Sequence, residues 1–178
     1  FNWQRPTVEI NGHDLFVNVY PSKDYVRHYS SLIKSYFLIK NKKSEHIYYI
    51  LPSEESCYNT LKQSNLCEVP STELAIIGYG LDFIKGEVEW LGPGPIKFRQ
   101  IKTRSMTASL IGCQHSLWGD AGGRVVASLI HQGFKKIVYI GKLGTLNAAI
   151  KPNSFLATGN CSFVEDEYIE WDNLFKNQ

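Results

Sequence analysis

The chain has 178 residues, enough for one domain with a sizeable core and too few for two large domains. Apolar residues at 43% and charged residues at 20% exclude a disordered, collagen-like or low-complexity chain. The 19 Lys+Arg against 17 Asp+Glu leave a charge of +2, too mild a field to make nucleic acid the default partner.

No uncharged apolar run approaches the ~18 residues of a membrane helix, and the start FNWQRPTVEI lacks the basic and apolar regions of a signal peptide. The expectation is a cytoplasmic chain with no membrane partner. Cys57, Cys67, Cys113 and Cys161 have no C-x-x-C spacing and no histidine at zinc-finger spacing, so they read as reduced thiols, with no metal and no cofactor implied.

In chain order, residues 7–10 and 15–20 read as extended segments around the turn Asn11-Gly12. Residues 24–39 place Tyr25, Tyr29, Leu32, Ile33 and Tyr36 at helical spacing, with Lys40, Lys42 and Lys43 marking a solvated exit. The run HIYYIL at 46–51 predicts a buried strand, Ser53 with Glu55 and Ser56 opens a polar helix, and 74–77 predicts a second strand, giving a β-α-β unit. Short strands at 88–91, 96–101 and 106–111 are separated by Gly92-Pro93-Gly94-Pro95 and Lys102-Thr103-Arg104, the pattern of an antiparallel meander. Gly122 and Gly123 open a helix with Val125, Val126, Leu129 and Ile130 on one face, ending at Gly133 before a strand at 136–140. A last strand is expected at 154–158, followed by the acidic Glu165-Asp166-Glu167. The expected fold is α/β, a central mixed sheet flanked by helices, with residues 1–70 as an extension packed on the same core as 71–178. Ligands of such a sheet sit outside the carboxyl ends of its strands.

Three glycine turns follow predicted strands: Gly78-Tyr79-Gly80, Gly119-Asp120-Ala121-Gly122-Gly123 and Gly141-Lys142-Leu143-Gly144. Such turns let backbone amides approach an anion or a sugar, although a strand can end at glycine merely because the turn needs a positive φ. Neither G-x-G-x-x-G nor a P-loop is present. His115 lies between a strand and a helix with Asp120 five residues on, where a proton carrier could sit, a pattern equally common as loop structure. Arg124 at a helix start opposes the dipole, which favours an anion or inter-subunit partner for it. Ser116 has no nucleophile-elbow context, His13, His28, His46 and His131 have no metal spacing, and the four tryptophans read as core or interface residues.

The order of these pieces from Ala75 to Leu81 (AIIGYGL) and from Gly119 to Asn160 (GDAGGRVVASLIHQGFKKIVYIGKLGTLNAAIKPNSFLATGN) resembles the purine nucleoside phosphorylase and uridine phosphorylase superfamily, over roughly residues 71–160. The resemblance implies a Rossmann-like fold and the binding, or the cleavage by phosphate or water, of a nucleoside-like ligand. A catalyst of that kind would be a pentosyltransferase or a nucleoside hydrolase. Carried over, Gly78, Tyr79 and Gly80 would face phosphate, Gly122, Gly123 and Arg124 would open the helix beside the site, and Lys142 with Gly144 would lie by sugar and base. His115 or Asp120 would carry the proton. The chain departs from the family pattern: Tyr139 replaces the phosphate arginine, Lys142 a serine or threonine, Pro152-Asn153-Ser154 the P-G-D turn, and the E-M-E ribose signature is absent from its 178 residues. Losing the bidentate guanidinium makes efficient phosphorolysis a poor expectation. A divergent, truncated member is the reading, with a non-catalytic assembly or ligand-sensing module of a larger protein as its alternative. A third expectation is half of a split site completed by a partner chain. The resemblance also implies a homo-oligomer.

Overall fold

A computed structural model describes residues 5–142, 144–145, 148–152 and 154. The chain divides into two compact units, Phe1–Gly141 and Lys142–Gln178.

The first unit opens with an antiparallel hairpin of β1 (Thr7–Asn11) and β2 (Asp14–Asn18), with Val8 opposite Val17 and Ile10 opposite Leu15. Gly12 takes the positive φ of 62° that its tight turn requires. Helix α1 (Lys23–Ile39) starts at Ser22, whose hydroxyl accepts the Tyr25 amide hydrogen. The helix forms where its periodicity predicts, yet none of its residues is buried.

The expected strand at 46–51 does not form. Its backbone pairs with no strand among the described residues, and apart from the half-buried Ile47 its side chains are exposed there, Tyr48 at 83% and Ile50 at 89%. A β-prone run becomes a strand only where a partner takes its amides and carbonyls. The predicted β-α-β unit therefore lacks its first strand, and residues 47–53 are an irregular lead into α2 (Glu54–Gln63), capped by the Ser53 hydroxyl.

The main sheet holds β3 (Leu74–Tyr79), β4 (Ile96–Lys102), β5 (Thr107–Cys113) and β6 (Ile137–Ile140) in the order β4-β5-β3-β6. β5 and β6 run parallel to β3, and β4 runs antiparallel to β5. The sheet is therefore mixed, with helices flanking it. Helix α3 (Gly119–His131) carries the chain from β5 across β3 to β6. The strand expected at 88–91 shrinks to one bridge between Leu91 and Phe98. Val88 is diverted because its carbonyl accepts from Arg99 instead.

One face of the sheet, with Ala75, Ile77, Phe98, Ile111 and Cys113, packs against Leu61, Leu66 and Val69 and against Val125 and Leu129 of α3. The buried stripe of α3 is Ala121, Val125 and Leu129, spaced by four, whereas Val126 and Ile130 of the expected face are exposed. Asn65 ties this core to β4 by mimicking a backbone pair, donating to the Ile96 carbonyl at 2.7 Å and accepting the Ile96 amide at 3.0 Å. No helix among the described residues is long and apolar enough to cross a membrane.

In the second unit, residues 148–149 form a turn and the Ser154 amide donates to the Lys151 carbonyl. Beyond Ser154, the strand expected at 154–158 and the Glu165-Asp166-Glu167 stretch lie outside the described residues, as do Trp3, Cys161 and Trp171.

Candidate functional site

The parallel strands β3, β5 and β6 deliver Tyr79, Cys113 and Ile140 to the same edge of the sheet. At that edge Gly78 lies between Gly112 and Ile140, and a β-carbon on it would run into the Ile140 carbonyl oxygen. The need for glycine there is close strand packing. Gly80 holds a φ of 71° at the start of a short 3-10 turn, and Tyr79 beside it is 57% exposed. Gly119, at a φ of 56°, leaves its β-carbon space to the Asp24 carboxylate. A side chain on Gly122 would meet only Leu117 at 3.9 Å, and one on Gly123 would meet nothing within 4 Å.

Asp120 lies at the centre of a polar network that joins the starts of α1 and α3. Its carboxylate accepts from the Ser22 hydroxyl, from the amides of Lys23 (3.0 Å) and Asp24 (3.1 Å), and from Arg124. In return the Asp24 carboxylate accepts the Asp120 amide at 2.8 Å. Each helix thus lends the other a carboxylate where unpaired amides and the positive end of the dipole favour one. Burial alone raises the Asp120 pKa, but the hydrogen bonds from Ser22, Arg124 and the two amides outweigh it and bring it down to about 2. At neutral pH Asp120 has no proton to give and is a weak base.

Arg124 is likewise engaged. It donates through Nη1 to Asp120, and to Glu54 at the start of α2 through Nη2, at 2.8 and 3.0 Å from the two carboxylate oxygens, and Nε at 3.3 Å; Glu54 also pairs with Lys23 at 2.6 Å. Desolvation works against its charge, and hydrogen bonds to Glu54 and Asp120 more than restore it, so the guanidinium stays protonated. The anion partner expected for Arg124 is supplied by the chain itself.

His115 is 4% exposed and stacks on Tyr20, with ring centroids 5.1 Å apart. Burial pushes its pKa down to about 4, so the imidazole is neutral at pH 7. The rings continue outward: Tyr25 stacks on Trp118 at 4.5 Å and donates its hydroxyl hydrogen to the Ser116 carbonyl, while His28 meets Trp118 edge-on. Behind Trp118 a cavity of ≈ 200 Å³ is lined by Ile77, Leu117, Gly122, Val125, Val126 and Tyr139. Its walls are mostly apolar, and Tyr139 donates its hydroxyl hydrogen to the Leu117 carbonyl at 3.3 Å.

The structure therefore brings Asp120 and Arg124 into direct contact, and sets Gly122 in the cavity wall. Lys142 and Gly144 are exposed residues of the second unit. The sequence reading missed Tyr20, Ser22, Asp24 and Glu54 as partners of this edge. Ser22 and Asp24 carry an N-cap signal for α1, but nothing local tells that Asp120 is their partner. Among the described residues no group of three or more His, Cys, Asp or Glu side chains is placed to hold a metal ion.

No family model matches the chain, and no solved structure matches it. A curated protein named Oxidoreductase cns1, from Cordyceps militaris, is 25% identical over 150 residues, an alignment that covers 73% of this chain. The chain spans 18% of that relative's length, so the similarity is to one segment of a much longer protein.

Proposed function

We propose that the chain is a divergent nucleoside phosphorylase-like module that binds a nucleoside-like ligand without cleaving it, as one part of a larger protein. The observation that carries this reading is the neutralised edge of the sheet. Asp120 and Arg124, the charged groups expected to serve a substrate in the first unit, spend their hydrogen bonds on Ser22, Asp24, Glu54 and each other. Cleaving a glycosidic bond needs groups that gain interactions in the transition state, and groups already saturated in the resting protein supply little of that gain. Binding asks less. The apolar cavity beside Trp118 and Tyr139 suits a flat ring, and it opens at the strand ends where ligands of α/β sheets sit.

The test combines two assays on the full chain. Inosine, adenosine and uridine, each with and without phosphate, are expected to give no enzyme-dependent free base by chromatography. At least one of them is expected to bind saturably in calorimetry, and Val126→Trp, which fills the cavity from a residue already 37% exposed, is expected to weaken that binding about tenfold or more. Base release that scales with protein and disappears in His115→Asn overturns the non-catalytic reading. The absence of binding by all three nucleosides overturns the ligand.

A further inference from the structure

A second cavity, of ≈ 520 Å³, lies between the segment 82–90 and β4, and shares no lining residue with the one beside Trp118. Arg99 is the residue of β4 that lines it. Along β4 the side chains alternate, so Arg99 stands on the sheet face opposite its core neighbour Phe98. Arg99 is only 6% exposed, yet among the described residues it forms no ion pair.

What holds it is specific and incomplete. Nη1 donates to the Val88 carbonyl at 3.1 Å, and the guanidinium lies 4.6 Å from the ring centre of Trp90, whose own Nε1 donates to the Ile84 carbonyl. Nε is buried without a hydrogen-bond partner. Asp82 lines the same cavity and has Oδ1 buried and unpartnered as well. A buried donor and a buried acceptor left unsatisfied each cost folding free energy, and native proteins rarely leave either without a partner.

The geometry defines the missing partner. With Nη1 committed to Val88, the donors left are Nη2 and the buried Nε, the fork that takes both oxygens of a carboxylate or a phosphate, and a ligand reaches Nε only if the segment at Gly86 that packs on the guanidinium gives way. The lining also holds Lys85 and the carboxylates Asp82 and Glu89, so it carries no net positive charge, and what selects an anion is the unpaired guanidinium edge. Phe83, Ile84 and Val88 also line the cavity and are at least half exposed, offering apolar surface to whatever enters. We propose that this cavity binds a small organic oxyanion, a carboxylate or phosphate carried on an apolar aromatic body, with Arg99 as its anchor. Asp82 Oδ1 takes a hydroxyl or amino hydrogen of the same molecule. The proposal is independent of the nucleoside reading, since none of its residues belongs to that site.

The experiment titrates the full chain with benzoate, with phenyl phosphate, and with phenol as the uncharged control, following the proton–nitrogen signal of the Arg99 Nε–H by NMR. A saturable shift with benzoate or phenyl phosphate and none with phenol is expected, and the tighter of the two names the headgroup. Arg99→Lys keeps the charge and loses the fork, and is expected to weaken binding at least about tenfold by a parallel calorimetric titration. Gly86→Ala tests the same point without touching Arg99: its new β-carbon would sit 2.5 Å from Nη1 and must displace the guanidinium, so it is expected to weaken binding too. No saturable shift with either oxyanion, equal response to phenol, or undiminished affinity in Gly86→Ala overturns the proposal.

Discussion

Helices α1 and α3 start from similar sequence patterns and end in opposite circumstances. Both carry apolar residues at helical spacing, but α3 lies on the sheet and buries Ala121, Val125 and Leu129, whereas α1 buries none of its 17 residues. Leu32, Tyr36, Leu38 and Ile39 of α1 are all more than half exposed. The difference teaches that periodicity specifies the helix, while burial is decided by what lies opposite. α3 is held along its length by packing. α1 is held at its first turn, by the exchanged carboxylates, the Lys23–Glu54 pair and the stacked rings of Tyr25 and Trp118.

That contrast can be broken by substitution. Leu129→Ala empties a fully buried position and is expected to cost about 3 kcal/mol in denaturant unfolding; a loss below about 1 kcal/mol would show that α3 is not held by packing. Asp120→Ala leaves the Ser22 cap in place but takes the acceptor from the Lys23 and Asp24 amides of α1 and leaves Arg124 short of one carboxylate, with an expected cost of about 2 kcal/mol. Hydrogen exchange should show the loss first in the opening turn of α1, and equal deprotection of β3 and β5 would contradict end-anchoring.

Acid should sharpen the same picture in two stages. His115 has a folded pKa of about 4 against its ordinary 6.5, so the unfolded chain binds its proton first. Stability from this group is complete above pH 6.5 and falls as the pH drops through 4, with a slope approaching ~1.4 kcal/mol per pH unit. His115→Phe, which keeps the ring against Tyr20, should flatten that slope. Asp120, at about 2 against 3.8, contributes stability above pH 3.8 that is lost as the pH falls through 2. Its partial exposure limits that contribution to on the order of 1–2 kcal/mol. At the small end, Ile39→Ala at 78% exposure is expected to change stability by less than about 0.5 kcal/mol; a loss above about 1 kcal/mol would mean that the far half of α1 is buried in the working protein.

The parts of the fold legible in the sequence are those whose signal is local. β3, β4, β5, α3 and β6 fall near their predicted positions because each apolar run is bounded by glycine, proline or a polar turn, and each finds a partner in the sheet. HIYYIL at 46–51 carries the same β-prone residues and finds none among the described residues, and no local feature distinguishes the two cases. The site is less legible still. Asp120 reads as a carboxylate at the start of its own helix, and its main work is on a helix 96 residues earlier. Arg124 reads as needing an anion, but the Glu54 that supplies one lies 70 residues away. Arg99 gives no signal at all, because a lone arginine in a strand looks like any exposed residue until the loop at 82–90 covers it.

The exchange of carboxylates between Asp24 and Asp120 also imposes an order in time. α1 leaves the ribosome before α3, and the residue that completes its first turn is made 96 residues later. At about 5–20 residues per second this is a wait of roughly 5–20 seconds. Through that interval α1 lacks the carboxylate from α3, and short isolated helices are marginal in water. α1 is thus synthesised before its partner and secured late, so a nascent chain stopped before residue 120 should show the amide exchange of an unanchored peptide over α1, whatever the state of the strands behind it.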